Sequence, residues 1–262
     1  MKPISSRDNP LFKQLKQLAT SAAQRRKAAR TLLDGVHLCE VYLERVGIPS
    51  LCIVSDAALH NKEVAAIVAR CEAGGGACIH LPDALYDNLS QVEQGVGVLF
   101  AIDTPPVSPA NGLIDDAVLL DNLQDPGNLG SILRSAAAAG VQQVLCGPST
   151  AHCWSPKVLR AGMGAHFCLS LHENVDLAAW ISASRTPVLA TSSHASQQIF
   201  DLDLTHPVAW LFGNEGQGVA PHLLALATTQ VAIPHRGQIE SLNVAASAAV
   251  CLFEQLRQRR PT

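Results

Sequence analysis

Six uninterrupted apolar runs in the second half of the chain constrain the fold more than any other feature. They are AVLLD (Ala117 to Asp121), QVLC (Gln143 to Cys146), FCLSL (Phe167 to Leu171), PVLAT (Pro187 to Thr191), VAWLFG (Val208 to Gly213) and TQVAI (Thr229 to Ile233). A strand with one wet face alternates apolar and polar residues, so continuous runs indicate strands covered on both faces, as in a parallel sheet. Helical spacing at Leu129 to Ala139, Pro156 to Met163, Val175 to Ser184 and Pro221 to Leu226 supplies the covering layers. The predicted class is α/β, with a parallel sheet in the C-terminal part.

The first half alternates in the same way on a smaller scale. A basic amphipathic helix is expected over Pro10 to Ala29, then strand Thr31 to Asp34, helix Val36 to Val46, strand Leu51 to Ser55, helix Asn61 to Cys71, strand ACIHL and a buried strand Val96 to Ile102. The stretch DTPPVSPANG, Asp103 to Gly112, has the Pro, Ser and Gly content of a linker. The expected division is 1–102 as an N-terminal unit, 103–114 as linker and 115–262 as a C-terminal domain.

No apolar run reaches the roughly 18 residues of a membrane span, and the N-terminus has no secretory hydrophobic region, so a cytoplasmic protein is expected. Eight cysteines without a C-x-x-C pair read as reduced core residues. The net charge of −3 argues against a generic nucleic-acid binder, but the first 30 residues carry eight Lys and Arg against Asp8 alone. Lys13, Lys16, Arg25, Arg26, Lys27 and Arg30 are therefore candidate nucleic-acid phosphate contacts.

In an open α/β sheet, ligands sit beyond the carboxyl ends of the strands, so the loops there carry the chemistry. After AVLLD, Pro126 and Gly127 make a turn, Asn128 is the expected helix cap, and Arg134 lies off the apolar stripe. Spacing alone leaves Arg134 either an exposed arginine or a fixed guanidinium for phosphate or developing charge. After VAWLF, GNEGQGV lets backbone approach a ligand, yet it is neither G-x-G-x-x-G nor a Walker loop. Glu215 in that loop calls for a hydrogen-bond partner nearby. After TQVAI, IPHRGQIESLN leads into an Ala-rich helix with Ser241 as the expected N-cap. Metal-ligand spacing and a Gly-x-Ser-x-Gly elbow are both missing from the sequence, so metal catalysis and serine hydrolysis are disfavoured.

Together PGNLGSILRSA (Pro126 to Ala136), LFGNEGQGV (Leu211 to Val219) and IPHRGQIESLNVAASAAV (Ile233 to Val250) resemble the three motifs of the SpoU (TrmH-like) branch of the SPOUT RNA methyltransferases. ISSRDNPLFKQLKQL, RRKAARTLLDGVHL and SPKVLRAGMGA are similar to the form with an N-terminal ribosomal-protein-like RNA-binding domain. The resemblance implies S-adenosylmethionine bound at a C-terminal trefoil knot, a homodimer, no metal, and methyl transfer to a ribose 2′-oxygen in RNA. It implies Thr191, Gly213, Asn214, Gly218, Ile233, Leu242 and Asn243 as cofactor contacts. Asn128, Arg134, Glu215, Ser241 and Asn243 match catalytic positions, with Arg134 a phosphate clamp and charge stabiliser. Ribosomal, large-subunit RNA is the favoured substrate; transfer RNA and a non-catalytic RNA-binding protein on the same fold are the alternatives. His235 stands where the family commonly has methionine, Asp34 where glutamate is usual, and Ala245 where serine often occurs.

Overall fold

A computed structural model describes residues 1–92, 95–105, 115–238 and 240–259. Most of the expected linker, 106–114, lies outside the described residues. The chain forms two compact units: Met1–Pro106 together with Trp154–Phe167, and Val107–Cys153 together with Cys168–Thr262.

The first unit runs β1 (Lys2–Pro3), α1 (Pro10–Thr20), α2 (Ala22–Ala28), β2 (Arg30–Asp34), α3 (Val36–Arg45), β3 (Leu51–Ser55), α4 (Lys62–Ala73), β4 (Cys78–Leu81), α5 (Asp83–Tyr86) and β5 (Val98–Asp103). Its sheet has the order β1-β4-β3-β5-β2, with β5 antiparallel to both neighbours. The single helix expected over Pro10 to Ala29 is two helices, because Ser21 is extended and its Oγ accepts from Gln24 N at 3.3 Å, capping α2. Phe12, Leu15 and Leu18 of α1 pack into one core with Leu32, Ile53 and Leu99.

The second unit runs β6 (Ala117–Leu120), α6 (Pro126–Ala138), β7 (Gln143–Cys146), β8 (Ser170–Glu173), α8 (Leu177–Ala183), β9 (Val188–Thr191), β10 (Gln197–Gln198), β11 (Ala209–Phe212), α9 (Pro221–Leu226), β12 (Thr229–Ala232) and α10 (Val244–Gln258). The intervening α7 (Pro156–Gly162) belongs to the first unit. The order is β10-β12-β9-β11-β6-β7-β8, and every pairing is parallel. Leu119 sits in register between Leu211 and Leu145, all three fully buried, and each such leucine contributes about 2 kcal/mol of burial. The expected strand at Phe167 to Leu171 begins three residues later, at Ser170. Phe167 instead ends a short 3-10 turn and meets the Tyr42 ring edge-on at 5.3 Å inside the first unit.

Helix α10 packs on α6 and β11. The Trp210 indole donates to Gln255 Oε1 at 2.6 Å beneath it. At its end, Arg259 Nε donates to the Leu204 carbonyl at 2.7 Å and its guanidinium grips the Asp116 carboxylate at the entry of β6. Among the described residues, no helix is long and apolar enough to cross a membrane, and no group of three or more His, Cys, Asp or Glu is placed to hold a metal ion.

Candidate ligand-binding and catalytic site

Because the strands are parallel, the segments after β6, β9, β11 and β12 all leave the same edge of the sheet. Three of them, together with the start of α10, line a cavity of about 970 Å³. Its wall includes Thr191, Gly213, Asn214, Gly218, Ile233, Leu242 and Asn243, all seven positions expected to contact a cofactor.

The Gly213–Gly218 turn is fixed from within. Asn214 N donates to the Gly218 carbonyl at 3.0 Å, and Gly218 N donates back to the Asn214 carbonyl at 2.9 Å. Gly218 has φ +70°, and a Cβ on Gly213 would stand 2.1 Å from the Gly218 carbonyl carbon and the Val219 nitrogen. Neither position tolerates a side chain without strain. Asn214 Oδ1 accepts from Gly216 N and Gln217 N at 2.9 and 3.1 Å, while its Nδ2 donates to the Asn122 carbonyl at 2.9 Å. That last bond ties the turn after β11 to the turn after β6.

A second tie runs through Glu215. Its Oε1 accepts from Asp125 N at 3.1 Å and Asn128 Nδ2 at 3.2 Å, and its Oε2 accepts from Gln124 N at 3.4 Å. Partial burial works to raise the Glu215 pKa, but its own backbone N–H, then the Asn128 amide and the Asp125 and Gln124 N–H groups, outweigh it, and the carboxyl lies below its ordinary value. Asn128 Oδ1 in turn accepts from Asn243 Nδ2 at 2.9 Å. Three loops distant in sequence thus meet in one directional chain, Asn243 to Asn128 to Glu215.

Two caps differ from expectation. Asp125 caps α6, accepting from Asn128 N at 2.8 Å, so the Asn128 side chain is free for the bonds above. Asn243 caps α10, accepting from Ala245 N and Ala246 N at 2.9 and 3.2 Å, while Ser241 lines the cavity two residues upstream. Arg134 is exposed on α6, roughly 9 Å of helix rise beyond Asn128. It does not line the cavity and makes no hydrogen bond or ion pair with the described residues.

Among the basic candidates, Lys16, Arg26 and Lys27 are exposed, and Lys13 is exposed beside Asp8 at 2.8 Å. Arg30 Nε lies 3.1 Å from Asp103. Arg25 corrects the expectation: it is buried, its Nη1 donating to the Leu18 and Ala19 carbonyls at 2.7 and 3.3 Å, and it fastens the α1–α2 corner rather than presenting charge. The sequence reading missed Ser192, His194, Glu240 and Ser247 in the cavity wall. Ser247 was recoverable, one helical turn beyond Asn243.

Parallel strands, a cavity at their carboxyl ends and a glycine turn of neither dinucleotide nor triphosphate type define an α/β enzyme that holds a small organic ligand. Residues 116–253 match the SpoU rRNA Methylase family, and the chain belongs to that family. An uncharacterized tRNA/rRNA methyltransferase of Synechocystis sp. is 34% identical over 98% of this chain and 94% of its own length. The 23S rRNA (guanosine(2553)-2′-O)-methyltransferase of Bacillus subtilis is 30% identical over 97% of this chain and 98% of its own. An AdoMet-bound rRNA methyltransferase from Sinorhizobium meliloti superposes with a TM-score of 0.85 at 26% identity, covering 99% of each chain.

Proposed function

We propose that the protein transfers a methyl group from S-adenosylmethionine to the ribose 2′-hydroxyl of a nucleotide in ribosomal RNA. The observation that carries this reading is the meeting of three family motifs, two lining one cavity and the first joined to them where Asn128 bonds Asn243 and Glu215. Family membership and the 2′-O-methyltransferase relative support the reaction, and the AdoMet-bound neighbour supports the cofactor.

The cavity fits that cofactor. Its volume is at the upper end of the roughly 300–1,000 Å³ of small-ligand sites, and its wall combines the side-chain-free Gly213, apolar Val231, Ile233 and Leu242, and the hydroxyls of Thr191 and Ser247. Bound there, the sulfonium supplies an activated methyl group. Asn214 and Gly218 shape the turn that holds it, Ser241 and Asn243 face the incoming nucleotide, and Asn128 orients Glu215. Arg134 serves as a fixed cation for phosphate or developing oxyanion charge, since guanidinium stays protonated in proteins.

The unpaired exposure of Arg134 supports a homodimer in which a second copy brings its arginine to this cavity. The exposed stripes of Ser131, Arg134 and Ala138 on α6 and of Ala246 and Phe253 on α10 are the faces assigned to it. The strand order β10-β12-β9 with α10 returning onto α6 supports a knotted C-terminal segment. Unit one supplies RNA contacts through Lys16, Arg26 and Lys27 in a ribosomal-protein-like domain, and the bacterial rRNA methyltransferase relative supports a cytoplasmic location.

Mapping 2′-O-methyl groups in total RNA from cells with and without the protein tests the reading. Loss of one ribosomal site is expected. A lost site in transfer RNA redirects the substrate, and no lost site together with no S-adenosylmethionine binding by calorimetry overturns the enzyme reading.

A further inference from the structure

Methyl transfer from a sulfonium to a hydroxyl needs a group to receive the hydroxyl proton, and the residues around the cavity differ sharply in their fitness for it. Arg134 is charged and outside the cavity, and a guanidinium has no lone pair to offer. Glu215 lines the cavity, is exposed, and accepts from its own backbone N–H and from three donors of the segment after β6, the latter unevenly placed. Oε1 takes two of them, at 3.1 and 3.2 Å, whereas Oε2 takes only the long 3.4 Å contact from Gln124 N. The 3.4 Å contact on Oε2 is longer than an ordinary N–H···O bond, so an incoming O–H can compete for that oxygen.

Resting on the methyl-transfer reading above, we propose that Glu215 is the proton acceptor, receiving the ribose 2′-hydroxyl proton on Oε2. The ribose oxygen forms its bond to the methyl carbon while the carbon–sulfur bond breaks, its electron pair remaining on sulfur. The hydroxyl proton passes to Oε2. A sulfonium and a carboxylate become a neutral thioether and a carboxylic acid, and the acid then releases its proton to water, restoring the ion. No prior deprotonation of the sugar is required, because an alcohol oxygen that is acquiring a third bond becomes strongly acidic, and even a weakly basic carboxylate takes its proton. The Asn243–Asn128 chain is the positioning device: Asn128 donates its Nδ2 to Glu215 while its Oδ1 accepts from Asn243, and the two bonds together hold its amide in that orientation. The other titratable or charged groups facing this region are His194, His235 and Glu240 in the cavity wall and Asp125 at the α6 cap.

The test is single-turnover methylation of ribosomal RNA from cells lacking the protein, with the full-length chain. Glu215→Gln keeps an acceptor for Asp125 N and Asn128 Nδ2 but is not a base, so its transfer rate is expected to fall about 10²-fold or more. Its dissociation constants for S-adenosylmethionine and RNA should stay within about threefold of wild type, and the wild-type rate should stay flat from pH 8 down to about 5.5. A loss of less than tenfold overturns the assignment. So does a parallel fall in cofactor affinity, which would make Glu215 a ligand of the sulfonium. A wild-type rate that falls tenfold per pH unit within that pH range overturns it as well. Failure of the wild-type chain to label RNA at all would instead sink the methyl-transfer reading itself.

Discussion

Asn243 Nδ2 donates to Asn128 Oδ1 at 2.9 Å although the two residues lie 115 positions apart. The same Asn243 side chain caps α10 through its oxygen, so one residue serves the helix and the site with opposite ends of its amide. Substitution can separate the two. Asn243→Ala removes both and should cost about 1 kcal/mol of stability along with transfer. Asn243→Asp keeps the cap but cannot donate to Asn128, so thermal unfolding should stay near wild type while the transfer rate falls at least tenfold. Wild-type transfer by Asn243→Asp would show that the cap is the whole role.

Arg134→Ala is expected to lower methyl transfer about 10²-fold or more while leaving S-adenosylmethionine affinity nearly unchanged, since this arginine stands outside the cavity. If a second copy supplies it, mixing Arg134→Ala with Glu215→Gln chains restores transfer, because one site in each mixed dimer is intact. No recovery after verified subunit exchange would place the arginine and the carboxylate in the same chain.

Gly213→Ala introduces a methyl group 2.1 Å from backbone atoms of Gly218 and Val219, which no rotamer change can relieve. The variant should lose about 1–3 kcal/mol of stability and most of its cofactor affinity, read by thermal unfolding and by calorimetric titration. Normal affinity would mean the turn can open without consequence for the ligand.

Asp34 offers a pH test in the first unit. Burial raises its pKa, opposed by hydrogen bonds from Ser90 Oγ at 2.8 Å and Gln91 N at 3.0 Å and by the charge of Arg160. A carboxyl whose folded pKa is raised binds its proton more tightly in the native state, so its stability contribution grows as pH falls through the raised value toward about 3.9. Asn does not titrate. The unfolding temperature of wild type relative to Asp34→Asn should therefore rise between pH 7 and pH 4, and a flat difference would contradict the burial argument.

The parallel sheet was legible because its strands are buried on both faces and so leave continuous apolar runs, as Leu119 between Leu145 and Leu211 illustrates. Phe167 misled for a related reason: apolarity marks a residue as buried but not into which core, and this one serves the first unit. Asp125 rather than Asn128 caps α6 because Pro126 occupies the first helical position, which makes the preceding residue the cap. Arg25 shows the limit of counting charges, since a tally carries no direction for a side chain. The backbone donors at Gln124 and Asp125 had no side-chain signature at all, and they became visible only once Glu215 was seen against them.

The clasp of Arg259 on Asp116 and Leu204 takes on meaning beside the amide pairing at the opposite end of the same helix. With both extremities moored, α10 behaves as a beam, and Val244 and Ser247, which it contributes to the cavity, occupy places decided during folding rather than on encounter with a guest. A molecule entering from solvent therefore meets one wall already built, and the ordering cost on that side has been met by the protein before the molecule arrives.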